Sequence, residues 1–155
     1  MNGLQSVAAT SSTLEQMYPS AQRSHTSPQW SGVVLLRDLS RWQIEAVRKL
    51  FQLLALPRDW DSYGSPPPSE VAITAGVRII LGIDLDNFVS PRVVPVSGGG
   101  VQLEWSVGSR EVEIEIDDEG SVEYLKSVHA KPVEEGPIAL ADLSRIRSLL
   151  TWLIA

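Results

Sequence analysis

Residues 101–116 read VQLEWSVGSREVEIEI. Two runs alternate apolar and polar residues, and Gly108-Ser109 separates them. A period of two sends successive side chains to opposite faces of a strand, and a Gly-Ser pair is a favoured two-residue hairpin loop. That loop would set the pairing residue by residue. Val107 then faces Arg110, Trp105 faces Val112, Leu103 faces Ile114 and Val101 faces Ile116, all on the core side. On the other side Ser106 faces Glu111, Glu104 faces Glu113 and Gln102 faces Glu115.

The pattern continues on both flanks. RVVPV (92–96) reads as a strand whose Pro95 suits an edge or a strand end. Gly98-Gly99-Gly100 is a turn, Asp117-Asp118-Glu119-Gly120 is another, and SVEYLK (121–126) is a further strand. Pairing Ile116 with Val122 places Glu115 opposite Glu123. Residues 127–137 (SVHAKPVEEGP), with two prolines and a glycine, read as a loop.

Three segments repeat at helical spacing. SRWQIEAVRKLFQLLAL opens on Ser40 and Gln43 at capping-box spacing. Its apolar stripe is Ile44, Val47, Leu50, Phe51 and Leu54, and Pro57 stops it. A second helix follows Pro66-Pro67-Pro68, with Ser69 as N-cap and Glu70 in the first turn. Its apolar face is Val71, Ala72, Ala75, Val77, Ile79 and Ile80, and Gly82 is a natural terminator. IALADLSRIRSLLTWLIA closes the chain, with Leu140, Leu143, Ile146, Leu149, Leu150 and Leu153 in register. The order helix, helix, meander, helix predicts an α+β fold: a small antiparallel meander of three to four strands with helices packed on one face. Residues 1–29 are expected to form a mobile tail and 30–155 a single domain, with Trp30 and Val33–Leu36 as a short strand or an anchor.

Composition narrows the function. Thirteen basic residues against nineteen acidic ones give a net charge of −6. A protein that coats a nucleic-acid backbone needs the opposite balance. The basic residues Arg37, Arg41, Arg48, Lys49 and Arg58 lie on or near the first helix, and Arg145 and Arg147 on the last. There are no cysteines, which removes disulfides, thiolate nucleophiles and Cys-ligated zinc. That, and an N-terminus without a basic segment followed by an apolar one, predicts a cytoplasmic protein. The run LLTWLIA (149–155) is far short of the ~20 residues that span a bilayer.

The register puts Glu104, Glu111, Glu113, Glu115 and Glu123 on one outer face. Like charges directly opposite destabilise by a few tenths of a kcal/mol to ~1 kcal/mol per pair. Three readings stand: a solvated face that opposes edge pairing, a docking face for a basic partner, or a divalent-metal site, for which a flat sheet rarely supplies enough converging oxygens. In the connector LPRDWDSYGSPPPSE (56–70), Trp60 and Tyr63 are natural ring anchors, Asp61 can accept hydrogen bonds from the turn, and Gly64 can take a left-handed conformation. His25 and His129 have no sequence neighbours that suggest a triad or a metal pair. The glycines at 98–100 lack the Lys-Ser/Thr of a phosphate loop. No catalytic residue, metal or cofactor is assigned.

WDSYGSPPPSEVAI, VSGGGVQLEW and EVEIEIDDEGSVEYL together resemble a recurrent type of small bacterial protein. There a W-D-x-Y-G-(A/S)-x-P segment precedes a helix, and a G-G-V-Q-x-E-W strand precedes an acidic strand ending in D-G. The match is carried by Trp60, Asp61, Tyr63, Gly64, Pro67, Gly99, Gly100, Gln102, Glu104 and Trp105. The resemblance transfers no catalytic role and implies only the setting of small operons of the toxin–antitoxin or mobile-element sort. The expectation is a non-enzymatic accessory protein that binds another, basic protein through the acidic face, with a homodimer through the C-terminal helix as a further partner. The alternatives are a carboxylate- or metal-dependent hydrolase using Asp61, Glu104 and Glu113, and a nucleic-acid-binding regulator using the basic first helix.

Overall fold

Ser40 and Gln43 open the first helix, α1 (Arg41–Leu53), as their spacing predicts. The Gln43 carboxamide oxygen accepts the Ser40 backbone N–H at 2.9 Å. The structure, a computed structural model, describes residues 39–155. The expected tail, the Trp30 and Val33–Leu36 anchor, Arg37 and His25 lie outside the described residues.

α1 buries only part of the stripe read from its sequence, Leu50 fully and Val47 in part. Trp42, Gln43, Ala46 and Leu50 are buried, whereas Ile44, Phe51 and Leu54 are exposed. Polar anchors turn the helix. Gln43 Nε2 donates to the carbonyls of Ile80 and Ile83, each at 3.0 Å. Trp42 Nε1 donates to the Leu85 carbonyl at 3.1 Å. The Ile80 and Ile83 carbonyls lie at the C-terminal end of α2 (Glu70–Gly82), where helical C=O groups run short of partners, and the Leu85 carbonyl lies just beyond it. A buried carbonyl left unpaired costs about 1–3 kcal/mol, which favours this face over one with more apolar area.

α2 is capped as predicted, with Ser69 Oγ accepting from the Ala72 N–H at 3.0 Å. It buries Ala72, Ile73, Ala75, Gly76, Ile79 and Ile80, while Val71 is exposed. At Gly76 an added Cβ would lie 3.1 Å from a Leu50 methyl, so the missing side chain lets α1 approach.

The sheet holds β1 (Arg92–Val96), β2 (Gly100–Val107), β3 (Arg110–Ile116), β4 (Val122–Val128) and β5 (Lys131–Ile138). They are antiparallel and adjacent in chain order. The registers of β2 with β3 and of Ile116 with Val122 are those expected. The strand number is not: residues 127–137, expected as a loop, extend β4 and supply β5. Pro132 and Pro137 remain possible because β5 is an edge strand that needs its N–H groups on one side only. A bulge between Lys126 and Ser127 absorbs the irregularity. The hairpin turns on His129-Ala130, both at positive φ (51° and 58°), without the Asn or Gly that would have marked it.

Asp142 caps α3 (Leu143–Ile154), which starts later than its sequence pattern because 138–142 finish β5 and turn. Ile146, Leu149, Leu150 and Leu153 pack into one cluster with Val101, Leu103, Trp105, Val112, Ile114, Ile116 and Val122 and with the buried residues of α1 and α2. The apolar stripe of α3 is thereby used within the chain; Ile154 remains exposed. No described helix is long and apolar enough to cross a membrane.

Candidate functional site

The residues that alternate with this core form the outer face of the sheet. Read across the strands, one row is Arg92, Glu104, Glu113, Leu125 and Glu135. The next is Val94, Gln102, Glu115, Glu123 and Pro137. Glu111 lies opposite Ser106 and Ser127 in the row beyond. All five glutamates expected on this face are there. Glu135 joins them from β5, a segment whose two prolines and glycine carry no strand signal. A depression of about 340 Å³ lies over the second to fifth strands, lined by Gln102, Glu113, Glu115, Glu123, Leu125 and Glu135.

The carboxylates interact. Burial, then the charges of Glu104 and Glu111, push the Glu113 carboxyl above its ordinary pKa, against a hydrogen bond from Gln102. Gln102 Nε2 sits between Glu113 (2.9 Å) and Glu104 (3.3 Å). Arg92 Nε pairs with Glu104 at 2.6 Å. One exposed arginine and one amide thus face six glutamates. A cationic side chain entering the depression would meet a field already concentrated by its neighbours.

The loops carrying the sequence resemblance meet at the end of the sheet where β1 turns into β2. Asp61 Oδ1 accepts the N–H groups of Tyr63 (3.0 Å) and Ser65 (3.2 Å). Its Oδ2 accepts the hydroxyls of Ser65 (2.6 Å) and Ser97 (2.7 Å). These bonds, that from Ser65 foremost, hold the Asp61 carboxyl far below the usual carboxylate range. Ser69 reaches the other two turns: its N–H donates to Gly99 O and its hydroxyl to Asp118 O, both at 2.8 Å. Gly99 has φ +100°, and an added Cβ would stand 3.3 Å from the Asp118 Cβ. Trp60 Nε1 donates to Pro66 O at 2.9 Å, and Gly64 is left-handed at φ +87°. Asp61 and Gly64 take the turn roles expected of them. Trp60 is half-buried and outside the core cluster, so its ring does not anchor the connector in the core. Nor does Tyr63: its side chain is 92% exposed, because the Asp61 bonds satisfy the turn without it.

A second polar cluster had no sequence signal. Glu134 on β5 accepts from Lys126 Nζ (2.7 Å), from the Tyr124 hydroxyl (2.8 Å) and from Arg145 of α3. Lys126 Nζ and the Arg110 guanidinium lie 4.3 and 5.3 Å from the centre of the Trp152 ring, and Arg110 also donates to the Trp152 carbonyl at 2.7 Å. Lys126 and Tyr124 hold the Glu134 carboxyl down to about 2. These contacts tie β3, β4, β5 and α3 together beyond the end of the core. The pairing of Lys126 with Glu134 depends on the bulge, so it could not be read from spacing.

Asp61 is taken up by Tyr63, Ser65 and Ser97, and among the described residues no three Asp, Glu or His side chains are grouped so as to hold a metal ion. His129 occupies the tight turn between the last two strands. Of the basic residues, Arg145 is taken up by Glu134, and Lys49 pairs with Glu45 at 3.1 Å. The chain matches no family model, no curated protein and no solved structure.

Proposed function

We propose that this chain is a non-enzymatic binding protein that docks a basic partner protein on the outer face of its sheet. Its role would be that of an antitoxin, an immunity protein or an accessory subunit in a small operon. The observation that carries the reading is the arrangement of Glu104, Glu111, Glu113, Glu115, Glu123 and Glu135 on one face beside a single arginine, with Glu104 opposite Glu113 and Glu115 opposite Glu123. Solvation alone would be served by alternating signs, which stabilise cross-strand pairs where these oppose each other. Lys or Arg from a partner would relieve that repulsion. Leu125, half-buried among the carboxylates, offers apolar contact at the centre. Such a face steers association and selects against acidic partners.

The test is co-purification from the native host at low salt, with wild-type chain and with Glu113→Gln, Glu115→Gln, Glu123→Gln combined. A basic protein recovered with the wild type, released by salt and absent with the variant, is the expected result. Recovery of no specific partner, or equal recovery by both chains, would count against the proposal.

The raised Glu113 pKa beside Glu104 supports one competing reading, a carboxylate-dependent hydrolase, since a general acid needs a raised pKa. The two separate experimentally. A hydrolase would lose turnover in Glu113→Gln, and its metal-dependent form would give heat on titration with Mg²⁺, Mn²⁺ or Ca²⁺.

A further inference from the structure

α1 carries two apolar stripes; the fold uses one fully and takes from the other only Val47, half-buried against the core. Trp42, Ala46 and Leu50 enter the core, whereas Ile44, Phe51 and Leu54 are 49%, 55% and 39% exposed. With half-buried Val47 these residues follow one another at intervals of three, four and three. One apolar residue per 3.5 positions is the spacing of a seam between two helices. Three large exposed apolar side chains in line on so short a helix exceed the scatter of single hydrophobic residues found on ordinary surfaces.

The net charge beside the stripe is positive. Arg41 precedes Ile44 by three residues and Arg48 follows it by four, so both neighbour the stripe on the helix surface. Both are exposed. Glu45, the one carboxylate within α1, pairs with Lys49 at 3.1 Å, which leaves the two arginines as the excess charge of the helix.

We propose that this stripe is a docking surface for an amphipathic helix of a partner protein whose apolar seam is flanked by Asp or Glu. Apolar residues at seam spacing select a helix as the occupant, and the bordering arginines select its charge. A second copy of this chain would bring like charges to the same seam, four arginines with no carboxylate opposite. The surface is separate from the sheet face and opposite to it in sign, so the chain could hold two partners of opposite charge.

The test uses the full chain and a short fluorescein-labelled helical peptide with Leu at the a and d positions and Glu at e and g. The control peptide carries Lys at e and g. Fluorescence anisotropy at low salt should show the Glu peptide binding at least ~10-fold more tightly, a difference of about 1.4 kcal/mol. Phe51→Ser, and separately Leu54→Ser, should abolish binding with Tm unchanged, since both side chains are exposed. Arg41→Glu combined with Arg48→Glu should reverse the preference between peptides. The glutamine variants of the sheet face should leave peptide binding as it was. Absence of binding, or equal binding of both peptides, would overturn the proposal. Sedimentation showing a wild-type dimer that Phe51→Ser splits would assign the stripe to a second copy and overturn it equally.

Discussion

Gly100 and Glu113 show how single positions in the sheet carry opposite kinds of stress. An added Cβ at Gly100 would lie 2.6 Å from the Ile116 carbonyl oxygen, a backbone atom that can move only with its strand. Gly100→Ala is therefore expected to cost about 1–3 kcal/mol, as overpacking does, and urea unfolding would measure it. A cost near zero would mean that β2 and β3 shift freely there. Glu113 carries electrostatic stress. Its folded pKa is raised, so the native state binds more protons than the unfolded chain in the window between the two values. Stability then falls as pH rises from the ordinary glutamate range through the folded pKa. Glu113→Gln should raise Tm at neutral pH and flatten that part of the profile. A fall in Tm at pH 7 would show that the ionised carboxylate is held by a contact that outweighs its neighbours' repulsion.

Among the elements, the hairpin joining β4 to β5 and the orientation of α1 show where local pattern stops being informative. His129 and Ala130 both take left-handed φ, which costs a residue with a Cβ about 1–2 kcal/mol relative to right-handed geometry. Replacing them together by Asn-Gly, the preferred pair for such a turn, should stabilise by about 1 kcal/mol, read as a shift of the denaturation midpoint at constant m-value. No gain would mean that the tight turn is not where this hairpin is strained. A sequence reader looking for Asn-Gly finds His-Ala, then two prolines and a glycine, and writes a loop. Only β4, with its edge unpaired, makes the segment a strand. In α1 the helix itself was legible from its cap and its Pro57 stop, but its inward face was not. Its two stripes satisfy the same periodicity, and the bonds that decide between them reach 37 to 43 residues along the chain.

Across the described residues, the fold sets six glutamates on the outer face of the sheet and brings Lys126 and Arg145 to Glu134 where α3 meets the sheet. The folded pKa of Glu134, about 2, lies below its unfolded value. Its contribution to stability is full above the ordinary glutamate range and is lost as pH falls through that range toward 2. Glu134→Gln should lower Tm at pH 7 and weaken the acid limb of the stability profile; a variant that loses the same stability at pH 7 and at pH 2.5 would refute the linkage. Glu113 and Glu134 thus pull the pH profile in opposite directions, one easing as pH falls and one failing. The amino-acid sequence by itself determined the register of the β2–β3 hairpin, the caps of α1 and α2 and the acidic outer face. Each of these follows from neighbours a few residues apart: alternation, a two-residue turn, a Ser-x-x-Gln pair. The tertiary structure alone decided which stripe of α1 is buried, that 131–138 form a strand, that three loops meet around Asp61 and Ser69, and that Glu134 lies between Lys126 and Arg145. Those outcomes depend on which unpaired backbone group or charge is brought near by chain folding, and sequence spacing carries no record of that distance.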